Sequence, residues 1–162
     1  MLEHTLRLDP LSLGDIRESS SAVHIAVTRL KRLMDQEIAH TLDRLGGIKL
    51  AEWRILYVLA DGGAMPQKDV VRRIMMEQSH ASRALKSMQA AGLVSMTRDE
   101  DDLRRWNFTL TRKGRALFRK LEPEMKARRD YLDGILSNAE IELFKDIATR
   151  VAQRTLQSMK DG

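Results

Sequence analysis

The stretch QSHASRALKSMQAAGLVSMTRDEDDLRRWNFTLTRKG, residues 78–114, holds the decision about the fold. In its first half the apolar residues Ala81, Leu85 and Met88 recur at intervals of four and three, which puts them on one side of a helix that Gly92 terminates. Gln78, Ser79, His80, Ser82, Arg83 and Lys86 face the other way, and there is no acid among them. Small side chains at Ala81 and Ala84 let this helix pack closely on a preceding one. Then come LVSMT and WNFTL, short runs of β-branched and aromatic character separated by the charged octet RDEDDLRR, which predict a two-stranded hairpin with a polar tip. A helix-turn-helix followed by such a hairpin is a winged helix.

The outward face of residues 77–91 suits the major groove of duplex DNA. Arginine takes guanine edges bidentately, glutamine pairs with adenine, and Ser, His and Lys reach phosphates or bases near the helix start. In the wing, residues 94–110, Asp102 stands two residues before Arg104, close enough to accept hydrogen bonds from the guanidinium or from loop amides and so to order the tip. Arg104 is then aimed at the narrow minor groove, while Arg98 and Arg105 reach phosphates. Asp99, Glu100 and Asp101 read as turn formers and solvated charge. A calcium loop would need a central glycine and a distal glutamate that DEDDLRRWNFTL lacks, and a hairpin tip offers no cleft to tune a general acid or base.

Charge distribution agrees. The 162 residues carry 28 Lys/Arg and 23 Asp/Glu, a net +5; residues 66–120 hold 13 and 6 of these, against 15 and 17 elsewhere. A basic block between mildly acidic flanks is the footprint of a polyanion binder attached to a module with another task. With 43% hydrophobic residues the chain can bury a core. Zero cysteines exclude disulfides, thiolate nucleophiles and cysteine-ligated zinc, and His4, His24, His40 and His80 show no metal-ligand spacing. The absence of a long apolar run or an apolar leader predicts a soluble, cytoplasmic protein with no membrane partner.

Outside the decisive stretch the pattern is helical. Val23, Val27, Leu30, Met34, Ile38, Thr41 or Leu42, and Leu45 form one stripe ended by Gly46 and Gly47, with Ser12–Asp15 as a helix start upstream. LAEWRILYVLADGG predicts a second helix with Leu50, Trp53, Leu56, Tyr57 and Ala60 on its inner side. In MPQKDVVRRI, Pro66 suits a first helical turn, with Val70, Val71 and Ile74 inward. Thr111 is an N-cap for a long helix bent at Pro123, with Leu117, Phe118, Leu121, Met125, Tyr131 and Leu132 as buried positions. Ser137 to Glu140 is a capping box for a last helix striped by Ile141, Leu143, Phe144, Ile147, Val151 and Leu156.

Taken together, these residues resemble the MarR family of bacterial winged-helix transcription regulators. The resemblance rests on Met88, Gly92, Leu93 and Val94 at the end of the second helix of the motif, Asp102 and Arg104 in the wing, and Leu110, Thr111 and Gly114 opening the long helix, with LAEWRIL matching the family's preceding helix. The chain departs at Leu103, where a further arginine often sits, and at Met96, where a basic residue is common. The family likeness implies a mainly α (α+β) architecture in which residues 12–47 and 115–162 form a helical dimerisation bundle and residues 48–114 the winged helix-turn-helix. The implied function is that of a homodimeric repressor on a pseudo-palindromic operator in double-stranded DNA, without a cofactor and without enzymatic activity. The resemblance also implies a crevice for a small aromatic or phenolic inducer, for which Arg17, His24, His40, Trp53 and Tyr57 are the candidates. The reading from a different class is a winged-helix adaptor or a helical enzyme that binds no DNA; a nucleophile-base pair, a Gly-rich phosphate loop or clustered metal ligands would favour it, and none is present.

Overall fold

In the computed structural model the described residues are 21–99, 102 and 105–161. The helix start at Ser12–Asp15, Arg17, Leu103 and Arg104 lie outside them. The chain divides into two compact units, one ending at Arg119 and the other starting at Lys120.

In the first unit, α1 (Ala22–Gly46) starts where the Ser21 hydroxyl accepts the His24 amide at 3.3 Å. It stops at Gly47, whose φ of +65° suits a residue without a Cβ and lets its amide reach the Leu42 carbonyl. Its stripe is where the sequence puts it, but only Leu42 at the C-terminal end is fully buried; Val23, Val27, Leu30 and Met34 stay exposed.

Helix α2 (Leu50–Gly62) buries Trp53, Ile55, Leu56 and Leu59. That corrects the expected inner side: Tyr57 and Ala60 are exposed, and Ile55 and Leu59 take their place. The segment is apolar on nearly every side, so periodicity alone selects no face. Packing against α1, against α3 (Gln67–Ile74), against α4 (Gln78–Ala90) and against the last strand makes the choice.

Met65 and Pro66 form a short strand, β1, that the pattern of the sequence does not announce; Pro66 is the N-cap of α3 and not a first-turn residue. Strand β1 pairs antiparallel with β3 (Trp106–Leu110), which pairs in turn with β2 (Val94–Arg98), so the expected two-stranded hairpin is part of a three-stranded sheet in the order β1-β3-β2. An edge position suits a proline, which has no amide to give to a ladder. Val70 and Ile74 of α3, Ala81, Leu85 and Met88 of α4, and Val94, Phe108 and Leu110 of the sheet complete the core of this unit, while Val71 is half-buried. Each fully buried Leu or Val contributes roughly 1.5–3 kcal/mol relative to exposure.

Between α3 and α4, Met75 is the one non-glycine residue with positive φ among the described residues, at φ 48° and ψ 53°, and its side chain is 91% exposed. Left-handed backbone costs an ordinary side chain about 1 kcal/mol, whereas asparagine adopts it more readily. Met75→Asn forfeits no packing and is expected to raise the melting temperature by about 1–4 °C, read by thermal unfolding.

Helix α5 (Arg112–Asp133) begins in the first unit and contains Pro123. Leu121 and Met125 are buried as expected; Tyr131, expected inside, is 77% exposed. In the second unit, α6 (Asn138–Asp161) opens with the expected capping box: the Ser137 amide and hydroxyl both donate to Glu140 Oε2 at 2.7 Å, and the Glu140 amide returns a bond to the Ser137 hydroxyl. The backbone bond first, and the hydroxyl bond second, hold the Glu140 carboxyl below the usual glutamate range. A depressed carboxylate stabilises above its unfolded value and loses that contribution as pH falls through its folded value, so the cap weakens only in acid. None of the described residues of α6 is buried, and Leu143, Phe144, Ile147, Val151, Leu156 and Met159 form an exposed apolar stripe. No helix among the described residues is long and apolar enough to cross a membrane.

Candidate nucleic-acid interface

Burial of Ala81, Leu85 and Met88 fixes the rotation of α4. With 3.6 residues per turn, Ser79, Arg83 and Lys86 then stand opposite the core, three and four residues apart, and all are exposed. Gln78 and His80 are exposed at the helix start, while Ser82 is half-buried at the flank. The first turn of α4 contains no acid, although the N-cap residue is Glu77, which makes no side-chain capping bond.

Two sets of contacts hold α4 at its angle. Glu52 at the start of α2 accepts the Lys49 amide through Oε2 and the Ser87 hydroxyl of α4 through Oε1, at 3.0 and 2.9 Å. At the other end, the Thr111 hydroxyl donates to the Gly92 carbonyl at 2.7 Å and accepts the Gly114 amide at 3.0 Å, so one side chain ties the exit of α4 to the entry of α5. Lys113 Nζ adds a bond to the Ala91 carbonyl at 2.8 Å. Neither Glu52 nor Lys113 stands out in the sequence, because each gains its meaning from a partner more than twenty residues away.

In the wing, the ladder from Val94–Leu110 to Arg98–Trp106 is unbroken. Beyond it the Asp99 amide donates to the Arg105 carbonyl and the Arg105 amide to the Asp102 carbonyl, which closes the tip. The Asp99 carboxylate, expected only to form a turn, organises this loop: Oδ1 accepts the Asp102 amide at 3.0 Å and Oδ2 accepts Asn107 Nδ2 at 2.7 Å. An aspartate followed at the third position by a loop amide is a recognisable signal for such a turn. Arg105 is exposed, and the Arg98 guanidinium carbon lies 4.8 Å from the centre of the Trp106 ring. Asp99→Ala is expected to speed hydrogen exchange of the Asp102 and Arg105 amides about 3–10-fold, whereas Asp99→Asn, which keeps an acceptor, should change them far less.

The residues proposed for a small molecule are only partly brought together. His24 and His40 are exposed and sixteen positions apart on α1, roughly 24 Å at the helical rise, so one chain cannot offer both to one small ligand. Trp53 and Tyr57 are neighbours with ring centres 6.1 Å apart. Phe118, which helical spacing marks only as a packing residue, completes a triad by stacking on Trp53 at 5.7 Å and meeting Tyr57 edge-on at 6.3 Å. Arg54, next in the chain to Trp53, is paired with Asp35 of α1 at 2.6 Å.

Comparison with known proteins finds similarity to transcription regulators. The family model described as MarR family matches residues 46–105, which run from the end of α1 through α2, α3 and α4 into the wing tip. The chain is 26% identical over 102 residues to the HTH-type transcriptional regulator FarR of Neisseria gonorrhoeae, covering 63% of this chain and 70% of that protein. It is similar to the solved structure of a MarR family transcriptional regulator from Silicibacter pomeroyi, at 26% identity and a TM-score of 0.66, over 80% of this chain and 86% of that one. Its fold is also that of Bordetella bronchiseptica BpsR, whose solved structure concerns regulation of DNA binding by 6-hydroxynicotinic acid; identity is 24% and the TM-score 0.62, over 78% and 98% of the two chains.

Proposed function

We propose that the chain, which matches the MarR family model over residues 46–105, is a winged helix-turn-helix regulator of that family and acts as a homodimeric, cytoplasmic repressor that binds a pseudo-palindromic operator and releases it in response to a small aromatic acid. The observation that carries the reading is the face of α4: Ser79, Arg83 and Lys86 stand opposite the buried Ala81, Leu85 and Met88, with an ordered hairpin following in the chain. In this reading Gln78, Ser79, His80, Ser82, Arg83 and Lys86 enter the major groove, Arg98 and Arg105 approach phosphates, and Arg104 and Asp102 belong to the wing tip. Residues 48–114 are the DNA-binding domain, and residues 12–47 with 115–162 supply the dimer contacts.

Support for the dimer comes from apolar side chains left bare. Four on α1 and six on α6 are exposed, with Val27 at 57% and Phe144 at 59%. A second copy would cover each stripe with an identical one, as a twofold interface requires. Two copies of α4 held one helical turn of duplex apart, ~34 Å, make the operator palindromic. For the effector, the Trp53, Tyr57 and Phe118 rings offer an aromatic wall, and BpsR is a relative in fold whose DNA binding is regulated by an aromatic acid.

A gel-shift titration with the promoter region upstream of the protein's own gene tests the core of this proposal. Binding should weaken steeply as salt rises, since neutralised phosphates release counterions; no retardation at low salt would end it. Sedimentation at micromolar concentration should give twice the chain mass. A thermal-shift screen of aromatic acids, 6-hydroxynicotinic acid included, should find a compound that raises the melting temperature and lowers operator affinity.

A further inference from the structure

The pleat of the hairpin carries its buried face along the strands toward the wing tip. Cross-strand partners Val94 and Leu110, Met96 and Phe108, and Arg98 and Trp106 follow one another along it, and the two-residue alternation of a strand puts all six on one side of the sheet. Burial falls off in that order, from the enclosed Val94–Leu110 pair to a Trp106 ring that is 44% exposed. The last pair is the one with an electrostatic bond of its own, the Arg98 guanidinium over the Trp106 ring at 4.8 Å. It stands at the root of the wing, directly before and after the tip that Asp99 organises. Ordering a long cationic side chain on binding opposes association, and a ring contact already made in the free protein lessens that cost.

Resting on the DNA-binding reading above, we infer that Trp106 is a positioning residue whose ring holds the Arg98 guanidinium at the root of the wing for a phosphate of the DNA backbone. The ring does not read bases and need not touch the duplex; its effect passes through Arg98. Phenylalanine keeps an aromatic face and should preserve much of the effect, while leucine keeps apolar bulk without one.

The test is a double-mutant cycle on the full-length protein with a random-sequence duplex longer than two helical turns, since phosphate contacts are independent of sequence. Arg98→Ala should reduce the slope of log affinity against log salt by about 0.9 per lost phosphate contact. Trp106→Leu should weaken binding about two- to fivefold, the range an exposed cation–π contact supplies, Trp106→Phe less, and Trp106→Leu should have no further effect in the Arg98→Ala background. Melting temperatures of the leucine and phenylalanine variants separate a folding defect from a binding one. Should the wild-type protein hold no duplex at any salt, the DNA-binding reading falls and this inference falls with it. Should the wild type bind while Trp106→Leu matches it, or lose equally in both backgrounds, DNA binding stands and the positioning role is overturned.

Discussion

Gly114→Ala is expected to lower the melting temperature by roughly 6–12 °C, the effect of a ~3 kcal/mol loss in a chain of this size. Gly114 is buried in the first turn of α5, and a Cβ placed there would press into the carbonyl oxygen of Leu93 and come within 3.1 Å of its carbonyl carbon. Both are backbone atoms, so no rotamer change can make room. That carbonyl already accepts the Thr111 amide, and the neighbouring Gly92 carbonyl accepts the Thr111 hydroxyl. Backing the helix away would therefore break the ties between the exit of α4 and the entry of α5, besides the bond from the Gly114 amide to Thr111. Overpacking usually costs 1–3 kcal/mol, and a clash against fixed backbone belongs at the upper end of that range. Urea unfolding gives the free energy directly, and a variant that melts within about 2 °C of the parent would mean that this junction yields easily.

The same junction shows what a sequence discloses and what it withholds. Thr111 as a cap, Gly92 as a stop and Ser137 with Glu140 as a box are legible because each acts within about three residues, where spacing is geometry. The inner face of α4 is legible because Ala81, Leu85 and Met88 are set among polar neighbours. Strand β1 is not, since two residues have no period and one of them is a proline that locally argues for a helix start. The face of α2 is hidden for the opposite reason, an excess of apolar residues, so that Ile55 and Leu59 are interchangeable with Tyr57 and Ala60 until their neighbours are in place. Tyr131 points inward by helical spacing alone, and the structure leaves its ring bare.

For the candidate interface the division is similar. The polar face of α4 and the existence of a wing follow from pattern, yet Asp99, whose carboxylate accepts two bonds within the wing, is one of four consecutive acids that composition cannot tell apart. The link from Glu52 to Ser87 spans 35 positions. Contacts of this kind decide how stiffly α4 is presented, and stiffness bears on affinity because an ordered reader surrenders little entropy on docking.

Arg83→Ala is the sharpest test of how that helix reads DNA. Arg83 is exposed, stands four residues from Ser79 and three from Lys86, and points away from the core. A guanidinium at such a place can take the two acceptors of a guanine edge, so its loss should weaken operator binding by about 1–3 kcal/mol, roughly 5- to 150-fold, and relax preference at one base pair in each half-site. Melting should be unchanged, because no packing is removed. Lysine offers one charge without the planar fork, so Arg83→Lys should recover phosphate attraction and leave the base preference relaxed. The alternative role predicts a different pattern: an arginine that only touches phosphate would lose equally on operator and random duplex, with a salt slope lower by about 0.9. Measuring both variants on both duplexes across a salt series therefore assigns the residue, and equal losses on the two DNAs would remove Arg83 from sequence readout while leaving it in the interface.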